Sequence, residues 1–176
     1  MSGPAAPPPD DKDWTWTTER ACPECGYDPG AITGSGLGEA LRATSVRWRL
    51  VLQRDEVRSR PEPEVWSPLE YACHVRDVHR VFTERVRLML DEDDPQFANW
   101  DQDATAVSER YWEQDPAAVA VELVAGAEAA AGQYDAVPPG AWERSGRRSN
   151  GSVFTILSIG RYHLHDVVHH LHDVHG

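Results

Sequence analysis

Arg161-Tyr-His-Leu-His-Asp-Val-Val-His-His-Leu-His-Asp-Val174 is the stretch on which both fold and function turn. Six of the chain's eight histidines lie between His163 and His175, a concentration that asks for a reason. Leu157, Leu164, Val167, Val168 and Leu171 recur at helical offsets, so the segment reads as an amphipathic helix and not as a polar tail. On such a helix His165 and His169 are four residues apart and their rings point the same way. That spacing lets one helix give two imidazoles to one metal ion. His169 and His172 are also spaced as neighbours, so His170 and His172 stay open as replacements. A third ligand must come from another element.

Working outward, the same periodicity predicts helices over about 37–54, 68–90, 116–134 and 153–172, with a shorter one over 104–112. The second has the clearest start: Ser67 caps, Pro68 takes the first helical position and Glu70 completes a Ser-x-x-Glu capping box. Asp115-Pro116 starts the next, and 142–151 reads as a polar loop. Four long helices with connectors predict an all-α four-helix bundle. His74 borders the inward face near the start of the second helix. It meets the His165/His169 pair if the second and last helices are neighbours, and Asp77 or Asp166 is then placed to orient a ring nitrogen. His79 points elsewhere and ranks below it. A single helical histidine is more often an edge residue than a ligand; only the combination across two helices favours a metal.

Composition bounds the rest. A net charge of −12 disfavours nucleic acid or an anionic membrane as partner. No apolar run reaches the roughly 18 residues of a membrane span, and the Pro-rich start lacks the pattern of a signal peptide. A cytoplasmic protein acting on a small molecule is the expectation. Residues 1–13 read as a disordered tail, 14–36 as an extension packed on the domain, and 37–176 as the bundle. The extension carries Trp14 and Trp16, then Cys22-Pro-Glu-Cys25-Gly26, which resembles one knuckle of a zinc ribbon. With Cys73 as the only other cysteine, and that one read as a small core residue, a second pair is missing. A single knuckle can borrow histidines, complete its site in a homodimer, act as a redox pair, or simply be two buried thiols. Asp101 is a candidate site-lining acid, and Arg161 a candidate anchor for an anionic substrate.

Trp66-Ser-Pro-Leu-Glu-Tyr-Ala-Cys-His74-Val-Arg-Asp77 resembles the Trp-Ser/Thr-x-x-Glu-x-x-x-His-x-x-Asp segment of the DinB/YfiT-like superfamily. His165-Asp-Val-Val-His169 is similar to the His-x-x-x-His motif on that superfamily's last long helix. The likeness runs over about 37–174. It implies a DinB-like bundle with a three-histidine site of His74, His165 and His169 holding a divalent metal, often zinc or nickel. Relatives include thiol-dependent transferases and isomerases, such as the N-terminal domain of mycothiol-dependent maleylpyruvate isomerase. The resemblance therefore implies a metal that holds a low-molecular-weight thiol as cosubstrate for S-transfer or isomerisation. Metal-assisted hydrolysis is the alternative, and a non-catalytic metal-binding or partner-binding bundle the alternative of another class. The Trp and Cys-x-x-Cys extension departs from the family pattern.

Overall fold

The structure, a computed structural model, describes Pro4, Pro7, Pro8 and residues 12–176. Most of the expected disordered tail (1–3, 5–6 and 9–11) lies outside the described residues. Five α-helices follow: α1 (Leu37–Val51), α2 (Pro68–Asp91), α3 (Gln102–Ser108), α4 (Pro116–Asp135) and α5 (Ile156–Asp173). The four long ones coincide with the expected spans to within a turn. Local chemistry explains their starts. The Ser67 hydroxyl accepts from the Glu70 N–H at 3.3 Å, and Glu70 Oε2 accepts from the Ser67 N–H at 2.9 Å, satisfying two orphan donors reciprocally. The Glu70 carboxylate is itself buried and paired with Arg60. Asp115 accepts from the Ala117 N–H at the head of α4, and Thr155 and Ser158 form a second capping box at the head of α5.

Helix α4 packs on α1 and α2, and α5 packs on the same two from the other side. The cyclic order is thus α1, α4, α2, α5, with α1 diagonal to α2 and α4 diagonal to α5. The α2·α5 neighbourhood on which the metal reading depends is therefore present. Leu41, Trp48, Leu69, Val78, Leu123 and Ile159 fill the core. Buried Ala127, Ala130 and Ala131 on α4 let its neighbours approach closely. At α5 the same purpose falls to Gly160, where a Cβ would stand 2.5 Å from Leu37 Cδ1 and 3.0 Å from Tyr134 Cε1.

Two expectations need correction. Part of the polar loop is a small antiparallel hairpin, β1 (Ser145–Arg147) with β2 (Val153–Thr155), and α5 begins at Ile156. Gly146 pairs with Phe154, which is buried, so this hairpin closes one end of the core with one buried side chain, that of Phe154. Three-residue strands are too short to show a period of two. Second, His163 does not lie on the polar face of its amphipathic helix. It is fully buried, with His79 Nδ1 3.0 Å from its Nε2 and the Tyr134 hydroxyl 3.1 Å from its Nδ1. Burial pushes His79 down to about 4 and His163 well below the ordinary histidine value, so both are neutral core residues.

The extension is folded. A 3₁₀ turn, Thr15–Thr18, and the Cys-x-x-Cys turn lie along α5, held by Arg161 Nη2 donating to the Ile32 carbonyl at 2.9 Å and the Tyr27 hydroxyl donating to the Arg161 carbonyl at 3.0 Å. Among the described residues no helix is long and apolar enough to cross a membrane.

Candidate metal centres

Helix α5 presents its donors on two adjacent faces, and each face meets a different part of the chain. Asp166 and His170, one turn apart, face α2. With His74 they place one donor atom each within 4.8 Å of one another. His165 and His169, shifted by one residue and hence by about 100° around the helix, face the extension. With Cys22 and Cys25 they form a second group of the same compactness. The expected triad of His74, His165 and His169 is thus divided between two clusters. His74 keeps its expected place, but the partners it meets are Asp166 and His170.

In the first cluster Asp166 Oδ1 stands 3.4 Å from His74 Nε2 and 3.6 Å from His170 Nε2. Neither approach has the geometry of a hydrogen bond, and Oδ1 is buried without a hydrogen-bond partner among the described residues. Two donors about 2.0–2.1 Å from a tetrahedral ion are roughly 3.3–3.4 Å apart, so the spacing fits a shared cation. Buried polar atoms left unpaired are otherwise costly. His170 Nδ1 lies 2.9 Å from Asp173 Oδ2, an arrangement that fixes the proton on Nδ1 and turns the Nε2 lone pair towards Asp166. Burial by itself would raise the Asp166 pKa; His74 and His170 beside it outweigh that and hold it below the ordinary carboxylate range. The His74 ring is 1% exposed, lies parallel to Trp100 at 5.5 Å between ring centres, and is covered on another side by Trp66.

In the second cluster the Gly26 N–H donates to the Cys22 carbonyl at 2.9 Å and the Cys22 N–H to the Tyr27 carbonyl at 2.8 Å. This tight turn puts Gly26 at φ +75°, where a side chain would be strained. Cys22 Sγ is 3.8 Å from His169 Nδ1. The other ring nitrogen of His169 faces Glu24 Oε2 at 3.5 Å and Asp173 Oδ1 at 3.8 Å. His165 Nε2 is buried and unpartnered among the described residues. Burial pushes His165 down to about 4 and, as the largest cause, Cys25 up to about 11. Trp14 covers this cluster, its ring 4.8 Å from that of His169 and 5.5 Å from that of His165.

A cavity of about 800 Å³ opens over both faces of α5. Asp166 and His170 line its floor, Trp14 its extension side, and Trp66, Tyr71 and Trp100 the opposite wall. Asp101 is at the rim, but its carboxylate caps α3 by accepting from the Ala104 N–H at 2.9 Å. Arg161 is absent from the lining; its guanidinium is engaged by the Ile32 carbonyl, which makes it an anchor of the extension and not of a substrate. Asp77 accepts from the Tyr111 hydroxyl and pairs with Arg76, away from the histidines. Cys73 is a buried core residue as expected, its thiol near the Tyr111 carbonyl.

A search of curated proteins finds no match. Among solved structures the chain is similar to YfiT from Bacillus subtilis, described as a probable metal-dependent hydrolase with an unusual four-helix bundle topology. The two share 17% identity with a TM-score of 0.71, covering 83% of this chain and 89% of that one. At this identity the likeness speaks for the bundle, whose diagonal connections are described above. The model of the DinB superfamily matches residues 37–174, the whole bundle with His74 and all four α5 donors, and the chain belongs to that superfamily.

Proposed function

We propose that His74, Asp166 and His170 hold a divalent metal ion at the floor of the cavity and that the protein is a metal-dependent enzyme acting on a small molecule. One observation carries this reading: a buried carboxylate oxygen, without a hydrogen bond, lies between two imidazole nitrogens at the separation of ligands sharing an ion. When bound, such an ion makes a water or thiol acidic enough to serve as a nucleophile near neutral pH. The protein's own groups do the rest. Asp173 keeps His170 in the tautomer whose Nε2 faces the site. Trp66 and Trp100 seal His74 from water, which strengthens every electrostatic interaction there. Trp14, Tyr71 and Trp100 give the cavity apolar walls for the body of a substrate, and its volume suits a small ligand.

The carboxylate sharpens the chemistry expected from three histidines. Two imidazoles with one carboxylate leave the centre one positive charge, the ligand type of metallohydrolases that activate water. Hydrolysis is thus the reading this donor set favours. S-transfer or isomerisation with a mycothiol-type thiol is the second, because the cavity opens directly onto Asp166 and His170 with room for a thiol cosubstrate.

The test is metal analysis of His74→Ala, Asp166→Ala and His170→Ala beside the wild type, each then assayed for ester and amide hydrolysis and for conjugation of an electrophile with a low-molecular-weight thiol. Each variant should lose one metal equivalent and the activity together. An unchanged metal content in all three would end this account, and activity that appears only with added thiol would select the second reading.

A further inference from the structure

The structure assigns a second metal site, a Cys2His2 zinc centre of Cys22, Cys25, His165 and His169, which clamps the extension to α5 and builds the outer wall of the cavity. It is independent of the catalytic reading and uses none of its three donors. Four donors from two segments 140 residues apart in sequence converge within 4.8 Å, and the chain around each is shaped for the purpose. The Cys22–Gly26 turn points two thiols to one side, with the glycine in the conformation it requires. His169 offers Nδ1 towards Cys22 while its other nitrogen faces two carboxylates, the arrangement by which a ligand imidazole is oriented from behind. His165 contributes a buried nitrogen with no other partner among the described residues. Thiolate and imidazole ligands of a tetrahedral zinc ion stand about 3.5 Å apart, close to the 3.8 Å of Cys22 and His169.

The donor set also selects the metal and the role. Two thiolates and two imidazoles in tetrahedral array favour zinc over harder cations. Four protein donors leave no position for substrate, so the centre is structural. What it secures is visible in the cavity: Trp14 lies against both histidines, and Lys12 bridges its ring and Glu24. Without an ion the extension would rest on the Tyr27 and Arg161 hydrogen bonds, on the apolar packing of Trp14, Trp16, Cys22 and Ile32, and on the contacts of Cys22 and Glu24 with His169.

Two measurements on the full chain decide the matter. The cobalt-substituted wild type should show thiolate-to-metal charge-transfer absorption, lost in Cys22→Ser/Cys25→Ser and kept in His74→Ala/His170→Ala. Cys22 and Cys25 of the zinc-loaded wild type should resist a thiol reagent and react at least tenfold faster after chelation, with mass spectrometry reporting the modified residues. The second measurement needs no variant and holds even if the serine protein fails to fold. Absence of the cobalt–thiolate band, a Cys22–Cys25 disulfide in protein purified under reducing conditions, or equal reactivity with and without chelator would each overturn the assignment.

Discussion

Acidification should weaken the bundle from its centre, and the size of the effect follows from two histidines outside both candidate metal clusters. His79 and His163 are fully buried, bonded to each other and to Tyr134, and neutral. In the unfolded chain each takes a proton near pH 6.5; in the folded chain burial holds His79 at about 4 and His163 well below its ordinary value. Above pH 6.5 both states are neutral and the pair brings no pH dependence. As pH falls below 6.5 the unfolded chain binds protons that the folded chain refuses, so stability declines until the folded values are reached. For His79 alone the loss between pH 7 and pH 5 is about 2 kcal/mol, with His163 adding in the same direction. That is a large share of the roughly 5–15 kcal/mol that holds a domain folded. Urea unfolding of chelated protein at the two pH values measures it, with His79→Leu/His163→Leu/Tyr134→Phe as reference. The triple variant removes the network as a unit, so no buried polar atom is stranded. Protonation of His165 and His169 affects both proteins and cancels in the difference. If wild type and variant lose the same stability between pH 7 and 5, the reasoning is wrong.

Three further outcomes are expected. Glu70→Ala removes the capping partner of Ser67 and leaves the largely buried Arg60 without its carboxylate, and should cost about 3 kcal/mol in chemical denaturation; a loss under 1 kcal/mol would mean water replaces the carboxylate. Gly160→Ala pushes a methyl into Leu37 and Tyr134 where α5 meets its neighbours, and should lower stability by about 1–3 kcal/mol in a thermal melt. Trp14→Ala removes the ring packed on His165 and His169 and should speed limited proteolysis within residues 12–36 several-fold while leaving the melting of the bundle nearly unchanged.

The helices were legible because their start signals are local. Ser67, Pro68 and Glu70 lie within four residues, and the apolar spacing of α5 survives its histidines. That α5 carries side chains able to hold a metal was equally legible. Which of its faces meets α2 was not, because a shift of one residue turns the helix by about 100° and the sequence contains a workable i, i+4 pair in both registers. A search for imidazoles selects His165 and His169; admitting a carboxylate would have put Asp166 and His170 beside them. The meeting of Cys22 and Cys25 with His165 and His169 spans about 140 residues, and no local pattern encodes it. The hairpin escaped notice for the opposite reason: its strands are too short to show any period.

The cyclic order of the helices also bears on how the chain reaches this state. Since α1 lies diagonal to α2 and α4 to α5, only the middle consecutive pair of long helices, α2 and α4, packs side by side, and the short α3 lies in the connection between them. The other interfaces, α1 with α4, α2 with α5 and α1 with α5, each close a stretch of chain that contains another long helix, and such non-local closure slows folding relative to an up-and-down bundle of equal size. During synthesis α1, α2 and α4 are complete while the fourth position stays empty, leaving Leu37 and Tyr134 without the α5 backbone that packs on them at Gly160. Helix α5 then arrives with the donors of both candidate clusters, so under the proposed assignments an ion would meet its full set of ligands only once α5 has docked. Metal uptake would in this sense report that assembly is finished, and ions at the proposed sites would reinforce the one helix on which the closed core depends.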